Sequence, residues 1–381
     1  MIERQTMSGG GPVADVIVIG GGLVGAALAY GLSREGQAVT LLDEGDNAFR
    51  ASRGNFGLVW VQGKGSRSPA YARWTRASAD LWPAFATQLL EETAIDVGYR
   101  KPGGLTLCMS EAEMESRCTL LQGLRTSLHE YDFQMLDRLE LRELLPAVGE
   151  TVVGASFCPH DGHVSPLLLL RALHQAILDR VAYRPGEEVI AIERRDGLFH
   201  VRTRRGTRAA IQLVLAAGLG NAKLAPRVGL QAPVVPVRGQ ILVTERLQPF
   251  LPLPTMQVRQ TEVGTVMLGD SHEEVGFDVS TTVAASRDIT RRAIAQFPFL
   301  GDVQMIRTWG ALRVMTADGL PIYEQSQTHP GAYIVTCHSG VTLAAVHAKQ
   351  LAPAIARGDL PPELDAFCAE RFEECHVVQA Q

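Results

Sequence analysis

DVIVIGGGLVGAALAYGLSREGQAVTLLDE, Asp15 to Glu44, is the stretch whose reading decides the fold. The β-branched run Val16 to Ile19 predicts a buried strand, and it stops on Gly20, Gly21 and Gly22. Leu23, Ala26, Ala27, Tyr30 and Leu32 then recur at helical spacing up to Gly36, and Val39 to Leu42 predicts a second, parallel strand. Together they make one β-α-β unit. In Gly20-x-Gly22-x-x-Gly25 the first glycine permits a tight turn. The second lets backbone approach a pyrophosphate, and the third lets helix and strand pack closely. The helix start at Leu23 and Val24 adds N–H donors and the positive end of the helix dipole. A carboxylate about 20 residues further on grips ribose hydroxyls, and Asp43 stands there with Glu44 beside it. No arginine occupies the acid position, which argues against a 2′-phosphate. A glycine turn beside an ordinary surface acid would read the same way, and the ADP of NAD and of FAD are alike to this motif.

The rest of the chain bounds the class. With 381 residues, 46% of them hydrophobic, it has enough material for a large domain or two interleaved ones. A formal charge of −5 with scattered Lys and Arg leaves no electrostatic footprint for nucleic acid. Cys108, Cys118, Cys158, Cys337, Cys368 and Cys375 are far apart, with no C-x-x-C pair, so neither a zinc site nor an iron–sulfur cradle is expected. Residues 1–12 read as a disordered tail without the pattern of a signal peptide, and no later apolar run approaches ~18 residues, so a cytoplasmic protein without a transmembrane segment is expected.

Two later segments repeat the pattern of buried strand followed by glycine: Leu213 to Gly218 (LVLAAG) and Tyr333 to Gly340 (YIVTCHSG). The parallel sheet is therefore expected to be assembled from distant pieces. Leu81 to Val148 is rich in charged helix formers with little strand pattern, whereas Val234 to Gly269 alternates strand-like runs with turns. The expected fold is α/β, a Rossmann-like nucleotide domain (13–85, 150–232 and 318–381) interleaved with an α+β lobe of antiparallel sheet and helices (86–149 and 233–317).

Further phrases follow in order. They are Ala51-Ser52-Arg53-Gly54-Asn55-Phe56-Gly57, Asp161-Gly162-His163-Val164-Ser165-Pro166, Glu188-Val189-Ile190, Ala216-Ala217-Gly218, Pro236-Val237-Arg238-Gly239-Gln240, Trp309-Gly310-Ala311-Leu312-Arg313 and His338-Ser339-Gly340-Val341-Thr342. In that order they resemble the D-amino-acid oxidase-like superfamily of FAD enzymes over nearly the whole chain. The resemblance implies a glutathione-reductase-type FAD domain and non-covalent FAD. It places Ser52, Arg53, Asn55, Phe56 and Gly57 on a second flavin loop, Val189 at the adenine, and Ala217 and Gly218 at a glycine strand end. Ser339, Gly340, Val341 and Thr342 become the helix start facing the flavin pyrimidine. Arg313 becomes the clamp on a substrate carboxylate, also counted with the cofactor-binding residues; Val314 stands where the family usually has proline, which leaves the local geometry open.

The resemblance also implies the chemistry. A small amino-acid or imino-acid substrate loses its α-hydrogen as hydride to flavin N5, while the protein positions and desolvates. Arg313 suits a carboxylate because its planar guanidinium is always charged, although an arginine paired with a structural acid reads identically. His338 and His272 are the remaining catalytic candidates, touching substrate or holding charge. The acids of Gly269-Asp270-Ser271-His272-Glu273-Glu274 read as a solvated turn. Cys337 reads as a buried thiol, not a flavin attachment point. The phrases ASRGNFGLVW, GDSHEEVGFD and CHSGVTLA are similar to those of the FAD-carrying β chains of multi-subunit dehydrogenases. This implies partner subunits with further redox centres, a place in the cytoplasm or, through those partners, at the inner membrane surface, and a D-hydroxyproline or proline-like substrate. The alternatives are an opine substrate, a glycine- or sarcosine-type oxidase using oxygen, a 2-hydroxy-acid dehydrogenase and a non-catalytic electron-relay flavoprotein.

Overall fold

The computed structural model describes residues 13–45, 51–128 and 131–372. The expected tail, 1–12, and Cys375 lie outside the described residues. The β-α-β unit forms as read, with strand Ala14–Ile19, helix Leu23–Arg34 and strand Val39–Asp43. The first strand is buried on both sides: Val16 and Val18 enter one core cluster, Ile17 and Ile19 the other. Such double burial is what a parallel strand covered on both faces requires.

Around it the sheet runs in the order 322–325, 332–336, 206–215, 14–19, 39–43, 181–185. All neighbours in that row are parallel except Ile322–Gln325, which pairs antiparallel with Ala332–Thr336. Ile19 lies level with both Leu42 and Leu215, and Leu215 with Ile334. The carboxyl ends of four parallel strands, distant in sequence, therefore open onto one edge.

Helix Leu23–Arg34 packs backbone to backbone on the C-terminal helical segment, since a Cβ on Gly31 would sit 2.3 Å from the carbonyl oxygen of Ala348. That segment changes register, from α at Ala344–Val346 to π at His347–Leu351 and back to α at Ala352–Arg357. Pro353 lacks the N–H that an unbroken α-helix would direct to residue 349, and the wide turn precedes it.

Two smaller antiparallel sheets lie outside the parallel sheet, and the smaller of them includes 154–158, residues expected in the nucleotide domain, with 104–108 and 134–137 of the second lobe. One has the order 258–260, 265–269, 235–246, 305–315; the other 104–108, 154–158, 134–137. They join where Leu105 N–H donates to the Pro254 carbonyl and Met256 N–H to the Leu105 carbonyl, above a core that includes Leu107, Leu136, Leu242 and Leu268. Two of these strands, Gly104–Cys108 and Gln134–Asp137, fall in the stretch read as helical. Each is only four or five residues long, too short for its alternation to stand out among charged neighbours. Gly154–Cys158 pairs with both of them. Helix Pro69–Thr93 runs unbroken across residue 85, with Trp82, Phe85 and Leu89 fully buried.

Gly31→Ala adds a methyl group where backbone already touches backbone. It is expected to lower stability by about 1–3 kcal/mol in chemical denaturation, as overpacking does. An unchanged denaturation midpoint would contradict the close approach of these helices.

Candidate functional site

At the open sheet edge the glycine turn leaves no space for side chains. Gly20 has φ +110°, and a Cβ there would lie 2.4 Å from the Ala216 carbonyl oxygen; one on Gly25 would lie 1.8 Å from the Gly20 carbonyl oxygen. A Cβ on Gly22 would meet only Ser52 Oγ, at 3.0 Å, so the outer face of the turn stays approachable. Asp43 is buried, and its two oxygens accept the N–H groups of Gly21 at 2.6 Å and Gly45 at 2.8 Å. The acid is thus locked onto the turn. Glu44 beside it is exposed. Val189 opens the strand that follows Glu187, whose N–H donates to the Asp43 carbonyl. On the other side of the turn, Ala217 N–H donates to Asn221 Oδ1, and Gly218 takes φ +58°.

Helix Leu23–Arg34 has no side-chain cap of its own at Gly22. Ser52 supplies one from the next loop, accepting the Leu23 N–H at 2.9 Å. In that loop Arg53 is exposed and Asn55 Oδ1 accepts the Gly57 N–H. The Phe56 ring covers Gly269, and Gly54 is in contact with the second lobe: Trp309 Nε1 donates to its carbonyl at 3.3 Å, and a Cβ there would be 2.2 Å from Ala311 Cβ. The loop therefore lies against the strand that carries Arg313, on the same face.

Arg313 lies across Gly239, where a Cβ would come within 2.5 Å of the guanidinium carbon. Its Nη2 donates to Asp270, which is half exposed, while its Nη1 is buried with no protein partner. One end of the guanidinium is thus paired with an acid, and the other is without a protein acceptor. The acids after Asp270 are not merely solvated. Glu273 accepts from the buried Arg238 at 2.7 Å, and Arg238, Ser271 and Gln240 hold its carboxyl down to about 2.

Ser339 to Leu343 forms a turn, and regular helix begins only at Ala344, later than expected. Thr342 is its anchor: its hydroxyl accepts the Trp60 N–H, and its carbonyl accepts Ser78 Oγ and Trp82 Nε1. Gly340 packs against Val24, and Val341 is buried. Ser339 Oγ accepts from Lys64 Nζ and from the Tyr71 hydroxyl, both at 2.9 Å. Burial, then Lys64, Arg313 and His272, push the His338 pKa down to about 3, which disfavours the positive charge considered for it. His272 is exposed at the rim. Burial pushes the Cys337 thiol up to about 12, so it is no nucleophile at neutral pH.

Lys64 and Tyr71 were not legible as site residues. The only signal was a lysine set between Gly63 and Gly65 straight after an apolar run. Its loop is fixed by Asp161, which accepts the N–H groups of Val61 and Gln62 and the Gln62 side-chain amide. The Gln62 side-chain oxygen Oε1 in turn accepts from Thr106, Arg117 and Ser156. Asp161 is fully buried, which raises its carboxyl to about 7.

These shifts set an acid dependence. His338 and His347 are held neutral by burial, near 3 against an ordinary 6.5. Unfolding lets each bind a proton below about 6.5, so their contribution to stability is lost as pH falls from there toward 3. Asp161 has the opposite sign between 3.8 and about 7, so the comparison needs a variant. His347→Gln stays neutral and should lose less melting temperature than the wild type between about pH 7.5 and 5.5. Equal losses would contradict the histidine's role. Native protein at about pH 8 should leave Cys337 unalkylated by iodoacetamide, and peptide mapping would detect the contrary.

The family described as FAD dependent oxidoreductase (DAO) matches residues 15–354. An opine oxidase subunit of Agrobacterium tumefaciens (strain Ach5) is 44% identical over 369 residues, 96% of this chain and 99% of the relative. Hydrogen cyanide synthase subunit HcnC of Pseudomonas aeruginosa is 29% identical, covering 94% of this chain and 96% of the relative. The crystal structure of glycine oxidase from Geobacillus kaustophilus superposes with a TM-score of 0.85 at 25% identity, over 92% of this chain and 96% of that one. The glycine cradle, with Asp43 on one side and Ser52 at the helix start, fits the dinucleotide such a family carries. The chain belongs to the FAD-dependent oxidoreductases of the DAO family, with FAD as its cofactor.

Proposed function

We propose that the chain oxidises the C–N bond of a carboxylate-bearing amine, as the FAD subunit of a multi-subunit dehydrogenase. The buried, unpartnered Nη1 of Arg313 carries this reading. An arginine donor hidden from water without an acceptor costs free energy, and a substrate carboxylate supplies the acceptor with matching geometry. FAD, when bound, accepts the hydride. Gly22, the Leu23 and Val24 N–H groups and Ser52 would hold its pyrophosphate, with Asp43 and Glu44 on the ribose side and Val189 toward the adenine. Arg53, Asn55, Phe56 and Gly57 of the second loop, Ala217 and Gly218, and the Ser339–Thr342 turn would flank the rest. Arg313 orients the substrate, neutral His338 lines the pocket without adding charge, and the lobe excludes water.

Two substrate classes share the required secondary amine beside a carboxylate. D-hydroxyproline, expected from the sequence phrases, is one; the 44% identity to an opine oxidase subunit favours an opine instead. The opine oxidase and cyanide synthase relatives are both named as subunits, which supports partner proteins here. Among the described residues no helix is long and apolar enough to cross a membrane, and we place the chain in the cytoplasm or, through partners, at the membrane surface.

Arg313→Met should keep FAD but lose about 10- to 100-fold in apparent affinity for the amine during anaerobic flavin reduction, the worth of a charge-assisted hydrogen-bonded pair. Unchanged saturation would refute the clamp. Peroxide release by the chain alone at rates matching dye reduction would point to an oxidase.

A further inference from the structure

We propose that the Asp270 carboxylate receives the substrate nitrogen, so that the site selects nitrogen over oxygen at the reacting carbon and stabilises the positive charge that forms there. The inference rests on the Arg313 reading above and deepens it by giving a role to the acid beside the clamp.

Asp270 directly follows strand Thr265–Gly269, in the sheet that carries Arg313. Its backbone is fixed. Arg292, from helix Val283–Gln296, donates through Nη2 to the carbonyl oxygens of Gly269 at 2.7 Å and of Asp270 at 2.8 Å. Ser271 Oγ accepts the Gln240 N–H at 2.9 Å, which ties the same turn to the neighbouring strand. Glu273, the next acid of the turn, is spent on Arg238. The Phe56 ring covers Gly269, and Gly54 touches Ala311 and Trp309. The second loop, proposed above to flank the flavin, therefore crosses the sheet beside Asp270 and Arg313.

Asp270 Oδ2 accepts from Arg313 Nη2, and among the described residues no donor meets its other oxygen, Oδ1. Nη1 of the same guanidinium is buried without a partner. One planar fork thus holds an acid on one tip and an open donor on the other. A substrate carboxylate on Nη1 comes to lie alongside that of Asp270. Two carboxylates so placed repel each other unless positive charge stands between them. The α-nitrogen is one carbon away from its own carboxylate and supplies that charge, with Oδ1 as its acceptor. A hydroxyl in its place stays neutral and leaves the two acids uncompensated. The amine reacts unprotonated, its ammonium proton having passed to solvent. As the hydride leaves the α-carbon for the flavin with two electrons, the nitrogen lone pair becomes the second bond of C=N, and the nitrogen gains a positive charge. A fixed carboxylate facing that atom stabilises the charge as it develops. Asp270 takes up no proton in this step.

The test uses two ligands of one shape, N,N,N-trimethylglycine and 3,3-dimethylbutanoate. They share the carboxylate and differ in the positive charge on the atom that bears the methyl groups, and neither has a nitrogen lone pair with which to release a hydride. Their dissociation constants are read from the perturbation of the flavin absorbance in the FAD-loaded protein. Wild type should bind trimethylglycine about tenfold or more tightly than its neutral counterpart. Asp270→Asn should remove about tenfold or more of that preference, with 3,3-dimethylbutanoate bound as before or more tightly, because an acid beside its carboxylate has gone. Equal affinities in the wild type, or no binding of trimethylglycine, overturn the proposal without any variant, so an Asp270→Asn protein that does not fold leaves the test standing. If Asp270→Asn weakens both ligands alike, the acid only orients Arg313 and the proposal fails. It fails equally if the preference is unchanged. Arg313→Met separates the two readings: if both ligands bind it as they bind wild type, the clamp itself is wrong. If both are weakened there while Asp270→Asn keeps the preference, only the Asp270 inference falls.

Discussion

A Cβ on Gly20 would stand 2.4 Å from the carbonyl oxygen of Ala216, and that single exclusion shapes the cofactor end of the molecule. It lets the first strand turn into its helix while touching the strand from residue 206, and so brings the start of a helix dipole to the edge where four parallel strands end. Asp43 then closes the turn through the Gly21 N–H. Everything that arrives later in the chain, the Ser52 loop, the Ala217 strand end and the Ser339 turn, meets this edge because parallel pairing in register leaves it as the common exit.

The second lobe supplies charge where the first supplies shape. Arg238 is buried with both of its Nη atoms paired to acids, Glu273 and Asp278, and only its Nε is without a partner. Arg313, on the paired strand, differs in having one end of its guanidinium open. Arg238 and Arg313 thus lie on neighbouring strands but on opposite faces of the sheet, and differ in what their terminal nitrogens meet. His338 shows the same logic in reverse: burial first, and then the cations around it, disfavour the positive charge that its type suggests.

The nucleotide unit was legible because its constraints are local. Gly20, Gly22, Gly25 and Asp43 lie within a few dozen residues, and each answers to a steric or polar demand of one turn. The strands Gly104–Cys108 and Gln134–Asp137 were not, since their partner at Gly154–Cys158 and the contact with Pro254 decide them, and neither is visible nearby in sequence. Arg313 could be singled out, but not that Asp270 takes one side of it. Lys64 stayed hidden because its meaning comes from Ser339, 275 residues later.

The most direct test is anaerobic titration of the FAD-loaded protein with a panel of opines, D- and L-imino acids and glycine derivatives, following the flavin absorbance. Bleaching is expected with secondary amines that carry a carboxylate, with Arg313 setting the concentration needed. A flavin that stays oxidised with every amine, yet bleaches with a 2-hydroxy acid or with none of the panel, would contradict amine oxidation at this site.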